Sequence, residues 1–306
     1  MAAITRINYL NIIAMLASAV LAMFIPFELV LLSYAILGPL HYLTEISWLN
    51  SRQFFTLKKH DYLLIATVVA ACILLKLPTA NLVYYTFGLS FILLSINKIL
   101  YRVLYFTLWV LMGYFLLSNN LLRTIFGLYI PTLIHVYIFT GAFLLLGTLK
   151  DKSFSGYVAF AVFLICPVLL NVLFTDTHHQ PAQWATDGYK YFAHINTTTL
   201  RNQSIDIYAN RASIILTRII AFAYTYHYIN WFSKTKVINW HRVGKATALV
   251  IVLIWIASVT LYFYNYQLGI KWLFILSLAH VILEFPLNHK SFIDIGKQLK
   301  SKLPLT

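Results

Sequence analysis

The chain has 306 residues, of which 60% are hydrophobic and only 10% are charged, and its mean hydropathy is +0.77. Soluble domains carry roughly 25% charged residues, so this composition excludes a soluble enzyme. The net charge of +14 does not indicate a nucleic-acid-binding protein, because the basic residues stand in short clusters between long apolar runs and not on one polar domain. This pattern predicts an all-α, polytopic (multi-pass) transmembrane helical bundle whose first partner is the lipid bilayer.

Ten apolar runs are long enough to cross a bilayer, which needs about 20 residues per helix. They lie at 7–25, 29–48, 62–78, 80–97, 101–118, 124–148, 154–174, 212–232, 247–264 and 271–288. Only Lys98 and Arg102 separate the fourth run from the fifth, so a kinked or re-entrant pair would also fit there. We therefore expect about ten helices.

The distribution of basic residues predicts the orientation, because positive charge is retained on the cytoplasmic side. With the N-terminus inside, 16 of the 23 Lys and Arg residues fall on the cytoplasmic side, 6 fall outside, and Arg218 lies within a span. Both termini are thus predicted to be cytoplasmic in a single integral membrane domain, 1–306. We expect this domain in the bacterial inner (cytoplasmic) membrane. Residues 175–211 are too polar to span and are predicted as an extracytoplasmic loop with an interfacial helix from about Tyr189 to Ile195.

Intramembrane glutamates are the first candidate functional residues. The chain has three glutamates, and Glu28 lies at a helix boundary where water can solvate it. Glu45 and Glu284 lie inside apolar runs, and each follows a histidine by four residues, His41 and His280 respectively. That spacing places both side chains of a pair on one helix face. Since a buried charge in a membrane is costly unless it is paired or ligated, each pair is either a structural ion pair or part of a functional site.

Further histidines are predicted near the same membrane depth. Helices two, six, eight and ten all run from outside to inside, which brings His135 and His227 to the depth of His41 and His280. The two cysteines lie in apolar runs and offer no thiolate site. Imidazole and carboxylate without thiolate is the ligand set of non-haem iron, and also of zinc or manganese. For His135 alone, a buried hydrogen-bonding role is the alternative.

The segment GPLHYLTE around His41 resembles the G-x-P-H-G-x-x-D motif of the Brp/Blh family of membrane carotene-cleaving dioxygenases. His227 resembles the first histidine of that family's late H-x-x-x-H arrangement. Tyr42, Glu45 and Trp231 stand where the family has glycine, aspartate and the second histidine. The resemblance covers two short segments and implies a polytopic oxygenase with histidine-bound iron.

Together these features predict a membrane metal-dependent oxygenase, or a related oxidoreductase, that acts on a lipid or isoprenoid substrate. The expected metal ligands are His41, His135, His227, His280, Glu45 and Glu284. The two glutamates serve as ligands or as catalytic general bases. The expected cofactor is iron, with zinc as the alternative, in which case the metal polarises a carbonyl or generates hydroxide.

Two other classes of protein fit the same residues. In a transporter or proton-coupled carrier, the His–Glu pairs would be a proton relay or a substrate site, as intramembrane carboxylates commonly are. The interruptions at Gly38–Pro39 and at Pro286 are compatible with this class. In a non-catalytic assembly subunit, the pairs would only hold helices together.

Overall fold

The computed structural model describes residues 2–173, 180–189, 208, 211–234, 239 and 241–301. All regular structure in these residues is helical. The ten long helices within them are α1 (Ala2–Phe24), α2 (Pro26–Ser51), α3 (Asp61–Leu74), α4 (Thr79–Ser95), α5 (Ile99–Leu116), α6 (Asn120–Asp151), α7 (Phe154–Val172), α8 (Arg211–Ser233), α9 (Lys245–Tyr264) and α10 (Tyr266–Lys300). Each of the ten predicted spans overlaps one of these helices, so the predicted all-α fold is confirmed.

The helices have the length and composition of a multi-pass membrane protein. Seven of those described are long and apolar enough to cross a membrane, namely all except α3, α4 and α8. Helices α3 and α4 are apolar but have only 14 and 17 residues, while α8 has 23 residues and carries many polar side chains. On α5 and α9 most side chains are exposed although they are apolar, as expected of helices that face lipid.

The helices differ from the sequence prediction in two places. Helix α10 continues to Lys300, well past the predicted end at 288, because its C-terminal part keeps helical periodicity after it becomes polar. The fourth and fifth runs are, by contrast, the two separate helices that the ten runs predicted, and residues 96–98 connect them. A short helix lies at 183–189, earlier than the predicted interfacial helix, whose remaining residues lie outside the described part.

Glu28 is not solvated, contrary to the sequence expectation. Its side chain is buried at 9% exposure, and its Oε1 accepts a hydrogen bond of 2.6 Å from the backbone N–H of Ala182. Ala182 directly precedes the 183–189 helix, so the carboxylate satisfies a donor at the start of that helix, where negative charge is favourable. The segment at 180–189 thus covers Glu28, which its position at a helix boundary had predicted to be solvated.

The chain divides into two compact units. The first unit comprises residues 1–41 and 151–275, and the second comprises residues 42–150 and 276–306. In the first unit, polar side chains join the helices: the Ser33 and Thr225 hydroxyls lie 2.7 Å apart, and the Tyr226 hydroxyl donates to Asn11 Oδ1 at 3.1 Å. Such satisfied polar contacts between helices hold a membrane bundle together where apolar burial gives little drive.

The second unit has one large apolar core. Its buried members come from α3, α4, α6 and α10, and they include Val83, Leu93, Phe139 and Phe285. A buried ion pair lies beside the connection at 96–98, where the Arg102 guanidinium binds the Asp61 carboxylate through two hydrogen bonds. This core fixes the position of α10 against α4 and α6.

Two helices contain π-helical segments, in which the backbone bonds from i to i+5. In α2 the segment is Ser33–Leu37, directly before the GPLHYLTE sequence. In α6 it extends over Ile125–Phe139 and includes Pro131. Segments of this type occur frequently at functional sites, and the one in α6 carries His135.

Candidate metal centre

The second unit contains a fully buried cluster of two histidines and a glutamate. His135 comes from the π-helical segment of α6, and His280 and Glu284 come from adjacent turns of α10. Each of the three is 1% exposed. One possible ligand atom from each residue lies within 4.8 Å of the other two. Two imidazoles and one carboxylate therefore converge in a region from which water is excluded.

The hydrogen bonds around the cluster orient both imidazole rings. His280 Nδ1 lies 2.5 Å from the carbonyl oxygen of Ser277, and since a carbonyl oxygen only accepts, Nδ1 donates. His135 Nδ1 lies 3.2 Å from Glu284 Oε2, close enough for the imidazole and the carboxyl group to interact. In a neutral imidazole the other nitrogen then carries a lone pair. The lone pair of His280 is thus on Nε2, the atom that faces His135 Nε2.

The two Nε2 atoms lie 3.0 Å apart. Two lone pairs at this distance repel each other unless a proton or a cation lies between the rings. Metal-bound histidines nearly always donate their other ring N–H to a carboxylate or a backbone carbonyl, and His280 donates its Nδ1–H to the Ser277 carbonyl in this way. With metal–nitrogen distances of about 2.1 Å, a separation of 3.0 Å is that of two ligands at a right angle. The donor set therefore fits a metal ion.

Three further side chains surround the cluster. The buried Glu45 and Glu284 carboxyl groups lie against each other, and two carboxylates in contact repel each other unless a proton or a cation lies between them. The Tyr42 ring stacks on His280 with ring centroids 4.3 Å apart. Asn288, 1% exposed, lies against the Glu284 carboxyl group. Sequence reasoning missed Asn288, although a polar residue four positions after Glu284 on an apolar helix was a visible signal.

The first unit contains a second pair of buried histidines. His41 Nε2 lies 3.0 Å from His227 Nε2, and the rings meet nearly edge to face, with an interplanar angle of 78°. The Tyr228 and Trp231 rings flank His41, with centroids 5.1 and 5.5 Å away. This pair has the same Nε2-to-Nε2 distance as the pair in the second unit.

Within each unit, the structure brings some of the predicted site residues together. The structure brings His135 together with His280 and Glu284, and it brings His41 together with His227; Glu45 lies with the first group. The contact between Glu284 and His135 joins two helices, whereas the four-residue spacing had pointed to His280 on the same helix. Of the other histidines, His60 and His241 are exposed, and His178, His179 and His194 lie outside the described residues.

Comparisons with known protein families, with curated proteins and with solved structures return no match. The resemblance to the Brp/Blh family therefore stays a prediction from two short segments. The buried histidines and carboxylates within a membrane-type helical protein are therefore the basis for assigning a function.

Proposed function

We propose that this protein is an integral membrane metal-dependent oxygenase, with a non-haem iron held by His135, His280 and Glu284, that acts on a lipid or isoprenoid. One observation carries the proposal: two histidines and one carboxylate converge within 4.8 Å in a buried site. This is the ligand set of non-haem iron oxygenases, in which the iron keeps open positions for O₂ and substrate. Zinc is the alternative ion, since it also accepts nitrogen and oxygen ligands.

The surrounding residues would prepare the site for this ligand set. The Ser277 carbonyl keeps the proton on Nδ1 of His280, which would leave the Nε2 lone pair of that ring for a metal ion. The stacked Tyr42 ring restricts rotation of His280. Complete burial keeps bulk water out, which protects reactive species from hydrolysis and strengthens electrostatic interactions in the site.

Glu45 is proposed as the proton-handling group. Its carboxyl group lies against that of Glu284 and is 2% exposed. If a cation were held by Glu284, a proton between the two carboxyl groups would reside on Glu45. Glu45 is then positioned to accept or return a proton at its carboxyl oxygen. A general base must lie within hydrogen-bond reach of the proton that it takes. Glu45 would meet this condition for a proton on the carboxyl group of Glu284, with which it is in contact.

The pair His41 and His227 is proposed as a further set of metal ligands. The two Nε2 atoms have the separation found in the His135–His280 pair. Because the two pairs are on different helices of different units, they are tested by separate variants.

Metal analysis of the purified protein tests the proposal. The protein is extracted in detergent, and its bound iron and zinc are measured by elemental mass spectrometry in the wild type, in His135→Ala and in Glu284→Gln. We expect metal in the wild type and its loss in both variants; His227→Ala tests the second pair. The exposed His241→Ala serves as the matched control and should retain the metal. Equal metal content in the wild type, His135→Ala and Glu284→Gln would overturn the assignment of the ligands.

One observation favours a proton-coupled carrier as a second candidate, namely the contact between the buried carboxyl groups of Glu45 and Glu284. Intramembrane carboxylates of this kind are typical of proton relays. Reconstitution in liposomes containing a pH-sensitive dye distinguishes the two functions. Proton uptake by chelator-treated protein, abolished in Glu45→Gln, would support the carrier and contradict the oxygenase.

A further inference from the structure

An apolar cavity of about 730 Å³ lies in the second unit between α4, α5 and α10. Its volume falls in the range of small-molecule binding sites, roughly 300–1,000 Å³. The lining side chains are aromatic or aliphatic except for one imidazole: Phe87, Phe91, Ile92, Ile96, Tyr101, Tyr105, Trp109 and His289, together with Gly88. The lining fits a hydrocarbon chain.

The inner wall of the cavity is closely packed. The Trp109 indole donates from Nε1 to the Tyr84 carbonyl at 2.9 Å and stacks on the Tyr84 ring. It also lies directly over Gly88, where any Cβ would overlap the indole. His289 is likewise fixed, because its Nε2 donates to the Phe87 carbonyl at 3.0 Å. These contacts satisfy the indole N–H of Trp109 and the Nε2–H of His289, beside a lining that is mostly apolar.

The outer rim opens toward the lipid side of the helices. Phe91, Tyr101 and Tyr105 are between 46% and 49% exposed, and they lie on helices whose outward faces are apolar. A chain can therefore enter sideways from the bilayer.

A cation stands at the rim. Lys98 is exposed and its Nζ lies 5.9 Å from the centroid of the Tyr101 ring, which lines the cavity. The other nearby cation, Arg102, is already neutralised by Asp61 and also donates to the Ile96 carbonyl. Lys98 is therefore placed to attract an anionic headgroup, with an effect near a membrane surface of about fivefold in affinity per lysine.

The cavity adjoins the helix that carries the proposed metal ligands. Phe87 contacts both Phe285 and His289, with ring centroids 5.2 and 4.4 Å apart. Phe285 directly follows Glu284 on α10, and His289 lies five residues after Glu284, about 7.5 Å further along the helix axis at 1.5 Å per residue. A chain in the cavity is thus held a short distance from the cluster.

We propose that this cavity binds the hydrocarbon chain of an anionic amphiphile, with Lys98 at its headgroup and the chain between α4 and α5. The occupant is a single-chain lipid acid or an anionic phospholipid. As a substrate assignment this rests on the proposed function, whereas binding itself requires no metal.

Photolabelling of the full-length protein in nanodiscs of phosphatidylcholine tests the proposal. The probes are a diazirine-bearing C18 fatty acid, its methyl ester and a diazirine-bearing phosphatidylglycerol, and labelled peptides are located by mass spectrometry. We expect saturable labelling within residues 87–109 by one or both anionic probes and about fivefold weaker labelling by the ester. The two anionic arms distinguish a free acid from a phospholipid.

Two pairs of variants make the result specific. Ile96→Trp fills the cavity and should abolish the labelling, whereas Leu100→Trp, an equal enlargement at a 74% exposed position outside the lining, should leave it unchanged. Lys98→Gln should reduce labelling by the acid about fivefold and leave the ester unaffected. Lys245→Gln, which changes an exposed lysine at the start of α9, is the matched control.

The outcomes separate this proposal from the proposed function. Labelling spread evenly over all lipid-facing helices, or equal labelling by acid and ester, overturns the proposal even if metal is bound. Saturable labelling at 87–109 in a protein that binds no metal supports the cavity assignment and leaves the oxygenase without support.

Discussion

Removal of the Arg102 guanidinium is expected to destabilise the second unit strongly. Arg102 and Asp61 are each 3% exposed. The guanidinium donates to both Asp61 carboxylate oxygens at 2.6 and 3.1 Å, and Nε donates to the Ile96 carbonyl at 2.6 Å. Arg102→Met leaves a buried carboxylate without its counter-charge. Breaking one partner of such a pair costs about 3–5 kcal/mol.

The assay is unfolding in mixed detergent micelles, monitored by circular dichroism, with the free energy of unfolding extrapolated to zero denaturing detergent. The double variant Asp61→Leu with Arg102→Met should recover most of the loss, because an apolar pair carries no uncompensated charge. Lys290→Met is the control, since its ion pair with Asp294 at 3.2 Å is 43% exposed on the lysine side and is worth about 0.5 kcal/mol. A loss below about 1 kcal/mol in Arg102→Met, equal to that of the control, would refute the reasoning.

Two further predictions concern stability. Gly269→Ala should destabilise the first unit, because its Cβ would overlap the backbone of Tyr262, whereas Gly296→Ala has open space around the Cβ and should be neutral or stabilise α10 by up to about 1 kcal/mol. Thermal unfolding of both variants in detergent checks this. Equal losses of stability in the two variants would contradict the close approach of Gly269 to Tyr262. Burial, partly offset by the charge of Asp151, lowers the pKa of Lys234 from 10.5 to about 8. The folded state then binds fewer protons than the unfolded state between these values, so the free energy of unfolding should rise from pH 8 to 10, and an unchanged rise in Lys234→Met would contradict this assignment.

The positions of the helices could be predicted from the sequence because one physical requirement, crossing the apolar layer of the membrane, determines them. Each apolar run must satisfy its own backbone hydrogen bonds and cross a layer of fixed thickness, so its position is readable from hydropathy. The break between α4 and α5 was readable for the same reason, since Lys98 and Arg102 cannot remain in an apolar run without a partner. The burial of Glu28 could not be predicted from the sequence, because it depends on a contact with Ala182, 154 positions further along the chain.

The candidate site was only partly readable from the sequence. Scarcity of charge identified Glu284 and its neighbour His280, since unpaired ionisable groups in a membrane span are costly. The partner of Glu284 could not be found by helical spacing, because His135 belongs to another helix and to a segment without α-helical periodicity. The contact between Glu45 and Glu284 likewise depends on how two helices pack.

The π-helical segment of α6 has a consequence for how chain length can vary. A π-helical turn holds one residue more than an α-helical turn because its hydrogen bonds reach from i to i+5. Deletion of one residue between Ile125 and Pro131 can be absorbed by a return to α-helical bonding, with His135 kept in its direction relative to Thr140–Asp151. The same deletion within Thr140–Asp151 would turn one part of the helix against the other by about 100°. We therefore expect length differences among related chains to concentrate in the π-helical segment of α6, before His135.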